Sequence, residues 1–181
     1  MRRTRLLWQL CLSFTLVAAL SLLAFTFYMR SAVRDFYLEA TTTHLQTEAE
    51  VIAVQLPEAQ TAQNSAQIDR HCKQLGSLTH SRVTIIRPDG EVVGESRRGP
   101  RLLENHRDRP EVQQALKGTA GRAVRYSATI GDEEMYVAVP IGPPGAPQAI
   151  VRTAMSIERL NDSLGSITYS IALGGVAVVL L

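Results

Sequence analysis

Residues 81–96 read SRVTIIRPDGEVVGES, and this stretch decides the fold class. Its first part, Arg82–Arg87, is rich in β-branched residues, which favour strands. Pro88–Gly90 follows, where aspartate tolerates turn geometry and glycine supplies a positive φ. Glu91–Ser96 then returns the chain. The stretch therefore predicts an antiparallel β-hairpin.

Three further strands are predicted downstream of the hairpin, because apolar residues alternate with polar ones there. They span Gly121–Ile130, Glu134–Ile141 and Ala149–Ile157. A charged loop, Arg97–Arg109, and a short helix, Glu111–Lys117, connect the hairpin to these strands. About five strands in one antiparallel sheet, backed by an N-terminal helix, predict an α+β domain.

Two helices are predicted before the hairpin. Arg30–Leu56 contains no glycine or proline until Pro57 ends it, and Ser65–Leu78 follows a polar linker. A heptad-like seam runs along the first helix, with spacings of four and three. It comprises Val33, Tyr37, Ala40, His44, Thr47, Val51 and Val54. The pattern leaves open whether this seam packs on its own domain or on a partner chain.

The segment Leu6–Met29 is uncharged and is predicted to cross a membrane. Its roughly 24 residues give about 36 Å of helix, enough for a bilayer core of about 30 Å. Arg2, Arg3 and Arg5 precede it, and a positive flank favours a cytoplasmic N-terminus. A cleaved signal peptide is the alternative. The bulky residues 25–29 disfavour it, because a cleavage site needs small residues.

A second apolar run, residues 164–181, predicts a second transmembrane helix, and the sequence stops inside it. The predicted order is a cytoplasmic N-terminus (1–5), transmembrane helix 1 (6–29), an extracytoplasmic domain (30–163) and transmembrane helix 2 (164–181). We expect the chain in the cell membrane, with a cytoplasmic part to follow. A tail anchor with nothing beyond it is the alternative.

Charge and cysteine content exclude several classes of protein. The net charge of +2 is near neutral, so we expect no nucleic-acid partner. Cys11 lies in the first apolar run and Cys72 far from it, which argues against a disulfide. No Ser-His-Asp, Cys-His or paired-carboxylate arrangement stands out, so the sequence predicts no catalytic residue.

The ordered motifs resemble the input region of bacterial two-component sensor histidine kinases, the phosphate-regulon sensor kinases in particular. Residues 81–96 resemble the first hairpin of extracytoplasmic PAS-like (Cache-type) sensor domains. Residues 103–118, LENHRDRPEVQQALKG, resemble the segment that follows in these kinases. The matching strands are residues 125–129 (RYSAT), 135–141 (MYVAVPI) and 151–156 (VRTAMS). The resemblance covers about residues 30–165.

This resemblance implies a homodimeric receptor with an unknown extracytoplasmic stimulus. It also implies a cytoplasmic kinase module that uses ATP and Mg²⁺ and phosphorylates a response regulator. The chain itself lacks that module: Leu-Gln-Thr, not a phosphoacceptor motif, follows His44, and no glycine-rich nucleotide loop is present. We therefore expect no cofactor and no kinase activity in this chain. Two alternatives stay open: the input region of a chemoreceptor or cyclase, or a complete membrane-anchored binding or adaptor protein.

Candidate binding residues cluster in the charged loop. Guanidinium groups present paired donors that suit phosphate, carboxylate or lipid headgroups, whereas a solvated loop with internal ion pairs is the simpler alternative. Tyr126 and Tyr136 are candidates to line a small-molecule pocket, or else core aromatics. One histidine beside carboxylates is too few for a metal site. The ligand-binding candidates are Arg101, His106, Arg107, Arg109, Tyr126 and Tyr136.

Overall fold

A computed structural model describes residues 2–56, 65–127, 131–143 and 145–157. The predicted second transmembrane helix, the linker before the second helix and the end of the third strand lie outside these residues. The chain divides into two compact units, one formed by Met1–Leu38 with Arg159–Leu181 and one by Glu39–Glu158. Helix α1, Arg2–Gln55, contributes residues to both units.

The described part of the first unit is helical. It contains an uncharged window with a mean hydropathy of 2.2, none of it buried within the protein. Trp8, Phe14 and Phe27 are among its exposed side chains. By length and composition this helix is able to cross a membrane.

The second unit is built on a five-stranded antiparallel sheet with the strand order β2-β1-β5-β4-β3. Its strands are β1 (Arg82–Ile86), β2 (Val92–Glu95), β3 (Gly121–Ser127), β4 (Asp132–Ile141) and β5 (Ala149–Ser156). Its other elements are α2 (Ser65–Thr79), a 3₁₀ turn (Pro100–Leu102) and α3 (Pro110–Leu116). The predicted α+β fold, with a long N-terminal helix and an antiparallel sheet, is confirmed.

One face of the sheet is apolar, and α1 is bonded to it. Val83, Thr153 and Val137 lie side by side on this face, because they are directly paired across β1, β5 and β4. The Thr153 hydroxyl donates to the Leu45 carbonyl at 2.9 Å, and the Thr42 hydroxyl donates to the Met135 sulfur at 3.2 Å. These bonds fix the helix to the sheet.

The face of α1 that packs against its own domain does not contain the predicted heptad seam. In the second unit α1 buries Thr41, Leu45, Ala49 and Ile52, and Leu56 directly after it is buried as well. The seam positions of this part of α1 are all exposed, namely Ala40, His44, Thr47, Val51 and Val54. Of the two open alternatives, packing on its own domain is therefore wrong for these residues.

Helix α2 covers the same apolar face through Ile68 and Cys72, which are both buried. A Cβ at Gly94 of β2 would lie 2.8 Å from the Cys72 sulfur, so only glycine permits this close packing. Burial raises the pKa of the Cys72 thiol to about 12 and keeps it protonated. Neither Cys72 nor the exposed Cys11 is in a disulfide.

The opposite face of the sheet carries α3 over a small apolar cluster. The cluster consists of Ile86, Val92, Val112, Ala115, Ala138 and Ile150. A Cβ at Gly121 would lie 2.0 Å from the Glu111 carbonyl oxygen, so β3 and α3 meet backbone to backbone. Beyond this cluster the same face becomes charged, and the candidate site lies there.

Candidate ligand-binding site

Charged and hydroxyl-bearing residues from all five strands lie on the face that carries α3. The pairings place them in adjacent rows. Glu95, Thr84 and Arg152 form one row, and Glu134 and Arg125 are directly paired in another. Arg82 and Tyr136 lie between them, each opposite Ala154 of β5. The strand register therefore gathers these side chains from distant parts of the sequence.

Arg82 is the centre of a buried ion-pair network. Its Nε lies 2.9 Å from Glu95 Oε1, and its Nη1 lies 3.3 Å from Glu134 Oε2. Their side chains are at most 2% exposed. The Tyr136 hydroxyl donates to the same Glu134 oxygen at 2.8 Å. Burial raises the pKa of Tyr136, which keeps this hydroxyl protonated and able to donate.

A second group of charges joins the sheet to α3. Glu111 Oε1 accepts from Arg125 Nη2 at 3.1 Å and from Arg152 Nη1 at 3.4 Å. Both guanidinium groups also lie over the Tyr136 ring, at 4.0 and 5.0 Å from its centre. Burial lowers the pKa of Arg152 to about 10, so the guanidinium is still charged at neutral pH.

Several donors in this group are buried without a hydrogen-bond partner. They are Arg82 Nη2, Arg125 Nε and Arg152 Nε, as judged within the part of the chain that the structure describes. A buried donor left unpaired costs roughly 1–3 kcal/mol, and more when it is charged. Two carboxylate oxygens of the same network, Glu111 Oε2 and Glu134 Oε1, are also buried without a hydrogen-bond partner among the described residues, so unsatisfied donors and acceptors lie close together here.

These three arginines line an open cavity of about 270 Å³. Its complete lining is Arg82, Arg98, Leu102, Leu103, Glu104, His106, Arg109, Arg125, Tyr126, Ser127, Tyr136 and Arg152. Five of these residues are arginines and one is a glutamate, and three of the arginines pair with the buried carboxylates of Glu95, Glu111 and Glu134. The cavity is smaller than the roughly 300–1,000 Å³ of typical drug-sized pockets, which favours a small anion.

His106 forms part of the cavity wall and is only 6% exposed. Its backbone N–H donates to the Gly90 carbonyl at 2.9 Å and ties the loop to the hairpin turn. Gly90 has a φ of 90°, and a Cβ there would lie 2.1 Å from Asn105 Oδ1. Burial and then the charges of Arg152 and Arg109 lower the pKa of His106 to about 3. The ring is therefore neutral at physiological pH.

Four of the six predicted ligand-binding residues lie together around the cavity. His106, Arg109, Tyr126 and Tyr136 line the cavity. Tyr136 is buried, whereas Tyr126 is 67% exposed at the rim. Arg107 is exposed and lies outside the lining.

Arg101 lies in the 3₁₀ turn, and its side chain is outside the described residues. The loop also has an internal ion pair of the kind that its simpler interpretation required, since Arg109 Nη2 lies 3.7 Å from Glu104. Arg97 Nη1 lies 3.6 Å from Glu134 of β4 and so connects the loop to the sheet. Within the described ranges no three His, Cys, Asp or Glu residues group to hold a metal ion.

The sequence prediction missed Arg82, Arg125 and Arg152, which come from strands and not from the loop. A signal existed in β1, where Arg82 and Thr84 alternate with Val83 and Ile85. Both sets are buried, so the polar set had to face a polar interior.

Comparison with known proteins agrees with this architecture. Residues 35–152 match the family model described as Single Cache-like. The chain belongs to the single Cache-like family. None of the curated protein sequences compared with it matches.

The fold of this Cache-like protein is similar to several solved sensor domains. The sensor domain of the V. cholerae histidine kinase DctB is 18% identical, with a TM-score of 0.55, over 73% of this chain and 54% of that one. The E. coli DcuS sensor domain is 13% identical, with a TM-score of 0.56, over 71% of this chain and 97% of that one.

The third structure is the ligand-binding domain of the Pseudomonas aeruginosa PAO1 amino acid chemoreceptor PctC in complex with GABA. It is 16% identical, with a TM-score of 0.56, over 79% of this chain and 63% of that one. These likenesses establish the fold of the domain. The chain thus spans less than two thirds of the solved DctB sensor domain and of the solved PctC ligand-binding domain.

We predict that Arg82→Met lowers the free energy of unfolding by about 3–5 kcal/mol, because it leaves Glu95 and Glu134 buried without their shared cation. Urea unfolding of the full chain in detergent micelles, followed by circular dichroism, measures the change. Arg122→Met is the matched control. Its ion pair with Glu39 is exposed on both sides, so its loss is expected to cost no more than about 0.5 kcal/mol. Equal losses in the two variants would contradict the central role of Arg82.

Proposed function

We propose that this Cache-like domain is the extracytoplasmic signal-input module of a transmembrane sensor, and that its cavity binds a small organic anion. The observation that carries the proposal is the set of three cavity arginines with buried, unpartnered N–H groups. A ligand carboxylate or phosphate accepts such bonds in pairs. Its binding would stabilise the domain in proportion to ligand concentration.

A carboxylate is the anionic group that we favour. Glu111 already provides an example, because its Oε1 accepts hydrogen bonds from both Arg125 and Arg152. GABA, the ligand in the PctC structure, also carries a carboxylate. Inorganic phosphate, suggested by the resemblance to phosphate-regulon kinases, is the rival ligand and belongs in the same binding experiment.

The output that we propose is a histidine kinase, with ATP and Mg²⁺ bound by a cytoplasmic module and a response regulator as its partner. The support is the resemblance of residues 103–118 to sensor kinases, together with the fold shared with DctB. A chemoreceptor is the second candidate, because the fold is equally shared with PctC.

We place the protein in the cell membrane with residues 6–29 as the first span and residues 164–181 as the second. The apolar window of α1 supports the first span. Two spans would hold both ends of the domain at one membrane surface. A shift of α1 relative to the sheet would then pass directly into the bilayer, provided that the ligand has different affinities for the two states.

A homodimer through α1 completes the proposal. The exposed positions Ala40, His44, Thr47, Val51 and Val54 keep the heptad spacing on the side of the helix that its own domain leaves uncovered. A second copy of α1 is the partner that such a seam fits.

Ligand binding is tested with Arg125→Gln. This variant removes one cavity donor and leaves Arg152 to pair with Glu111. Isothermal titration of the full chain in detergent micelles with acetate, propionate, succinate, GABA and phosphate first identifies which anion binds. We expect Arg125→Gln to weaken that binding at least about tenfold.

The matched control is Arg122→Gln, on the same strand but on the opposite face of the sheet. We expect it to leave the affinity unchanged. Equal weakening by both variants, or no binding of any of these anions, would refute the proposed site.

The output is tested by reading the native gene beyond Leu181. We expect a linker module, a phosphoacceptor-histidine motif and an ATP-binding domain to follow. A methyl-accepting signalling domain would favour the chemoreceptor, and a stop codon would favour a membrane-anchored binding protein.

The dimer is tested with Val51→Cys in a Cys11→Ser background. Val51 is 51% exposed on the seam, so mild oxidation in membranes should yield a disulfide-linked dimer. Ala49→Cys, a buried position on the opposite side of α1, should stay monomeric on the same denaturing gel. Equal cross-linking of both cysteines would argue against a seam-specific interface.

A further inference from the structure

The exposed seam of α1 has a polar layer at its centre. Ala40 lies on one side of this layer and Val51 and Val54 on the other, and the layer itself consists of His44 and Thr47. With spacings of four and three residues, these are the core positions of a coiled coil. A polar side chain at a core position lowers the stability of a helix pair, so apolar packing alone does not explain the layer.

The heptad spacing determines what His44 meets in a dimer through this seam. Two identical chains that are anchored by the same N-terminal segment have parallel copies of α1. In a parallel, in-register pair each core position faces the same position of the other helix. His44 would therefore lie against the partner's His44, in a recess completed by the partner's Ala40, Thr43 and Thr47. All of these neighbours except the second histidine are neutral.

The carboxylates of this part of α1 are engaged elsewhere. Glu48, one turn after His44, accepts a hydrogen bond from the Ser81 hydroxyl, and its second oxygen is buried. Glu39 pairs with an arginine of β3, and Glu50 accepts from an amide of its own helix at 2.9 Å. His44 is exposed, so no described element of its own domain covers it. None of the three carboxylates is thus paired with His44.

The charge of two facing imidazoles decides whether they fit together. A neutral imidazole has one N–H and one acceptor nitrogen, so one neutral ring donates to the other. Two protonated rings carry donors only, and their like charges repel. An imidazole has an ordinary pKa of about 6.5, so the change from attraction to repulsion falls in the physiological range.

We propose that the facing His44 side chains make the association of α1 depend on pH, so that acid on the extracytoplasmic side loosens the homodimer. This inference rests on the proposed function, because it assumes the homodimer through the α1 seam. The seam disfavours protonated rings. Association is therefore complete above the ordinary pKa of imidazole and weakens as the pH falls below it. The sensor then responds to acidity through α1 and to its ligand through the cavity.

The experiment measures dimerisation of the full chain in detergent micelles by sedimentation equilibrium. The two conditions are about pH 7.5 and about pH 5.5, one unit on either side of the ordinary imidazole pKa. We expect the wild-type dissociation constant to be about tenfold higher at the lower pH. His44→Asn should give the same constant at both pH values, because asparagine is tolerated at core positions and does not titrate. His44→Val should also remove the pH dependence and carries the test if His44→Asn does not dimerise.

The other histidines provide the control. His106 stays neutral over this range, because burial and then the charges of Arg152 and Arg109 lower its pKa to about 3. His71 and His80 lie off the seam, so the double variant His71→Gln, His80→Asn should keep the tenfold change. Asparagine is chosen at position 80 because His80 has a φ of 60°, which asparagine tolerates.

The outcomes separate this inference from the homodimer itself. An unchanged wild-type dissociation constant, or a change that persists in His44→Asn, overturns the role of His44 and leaves the homodimer standing. Loss of the change in the double control variant assigns it to the other histidines and overturns the inference as well. Absence of a wild-type dimer at both pH values overturns the homodimer and the inference together. Circular dichroism melting at both pH values shows whether each variant is folded.

Discussion

The buried guanidinium of Arg82 is the constraint on which the rest of the domain depends. It lies on β1 between Glu95 of β2 and Glu134 of β4, so one cation holds together strands that are not neighbours in the sheet. Such a charge is tolerated in a protein interior only where its partners are fixed. The face of the sheet that carries it therefore cannot be covered by an ordinary apolar layer, and it is covered by the loop and by α3 with a cavity between.

This constraint divides the sheet into two surfaces with different tasks. The apolar surface packs against α2 and is bonded to α1, through contacts such as Thr153 with Leu45. The charged surface holds the cavity. Both surfaces are formed by alternate residues of the same strands, as in Arg82 and Val83. The arginines and α1 are therefore separated only by the thickness of the sheet.

The sequence predicted those parts of the fold that depend on local chemistry. The hairpin around Gly90 and the short helix that begins at Pro110 form where the sequence predicted a turn and a helix. The cavity arginines of the strands were missed, because their convergence depends on pairing between residues as distant as Thr84 and Arg152. The heptad-like spacing of the seam on α1 was recognised in the sequence. That spacing does not predict which face of the helix packs against its own domain. The buried face is set by Leu45, Ala49 and Ile52.

The unpartnered donors of the cavity also bear on how long the protein survives. Three buried N–H groups of the cavity arginines have no hydrogen-bond partner among the described residues, and the proposed anion would supply one. Occupancy by the proposed anion would thus lower the fraction of molecules that are open to proteases at any moment. In a cell envelope that degrades opened proteins, receptors without ligand would turn over faster than receptors with it. The number of sensor molecules in the membrane would then depend on how much ligand was present earlier, whereas their signal depends on how much is present now.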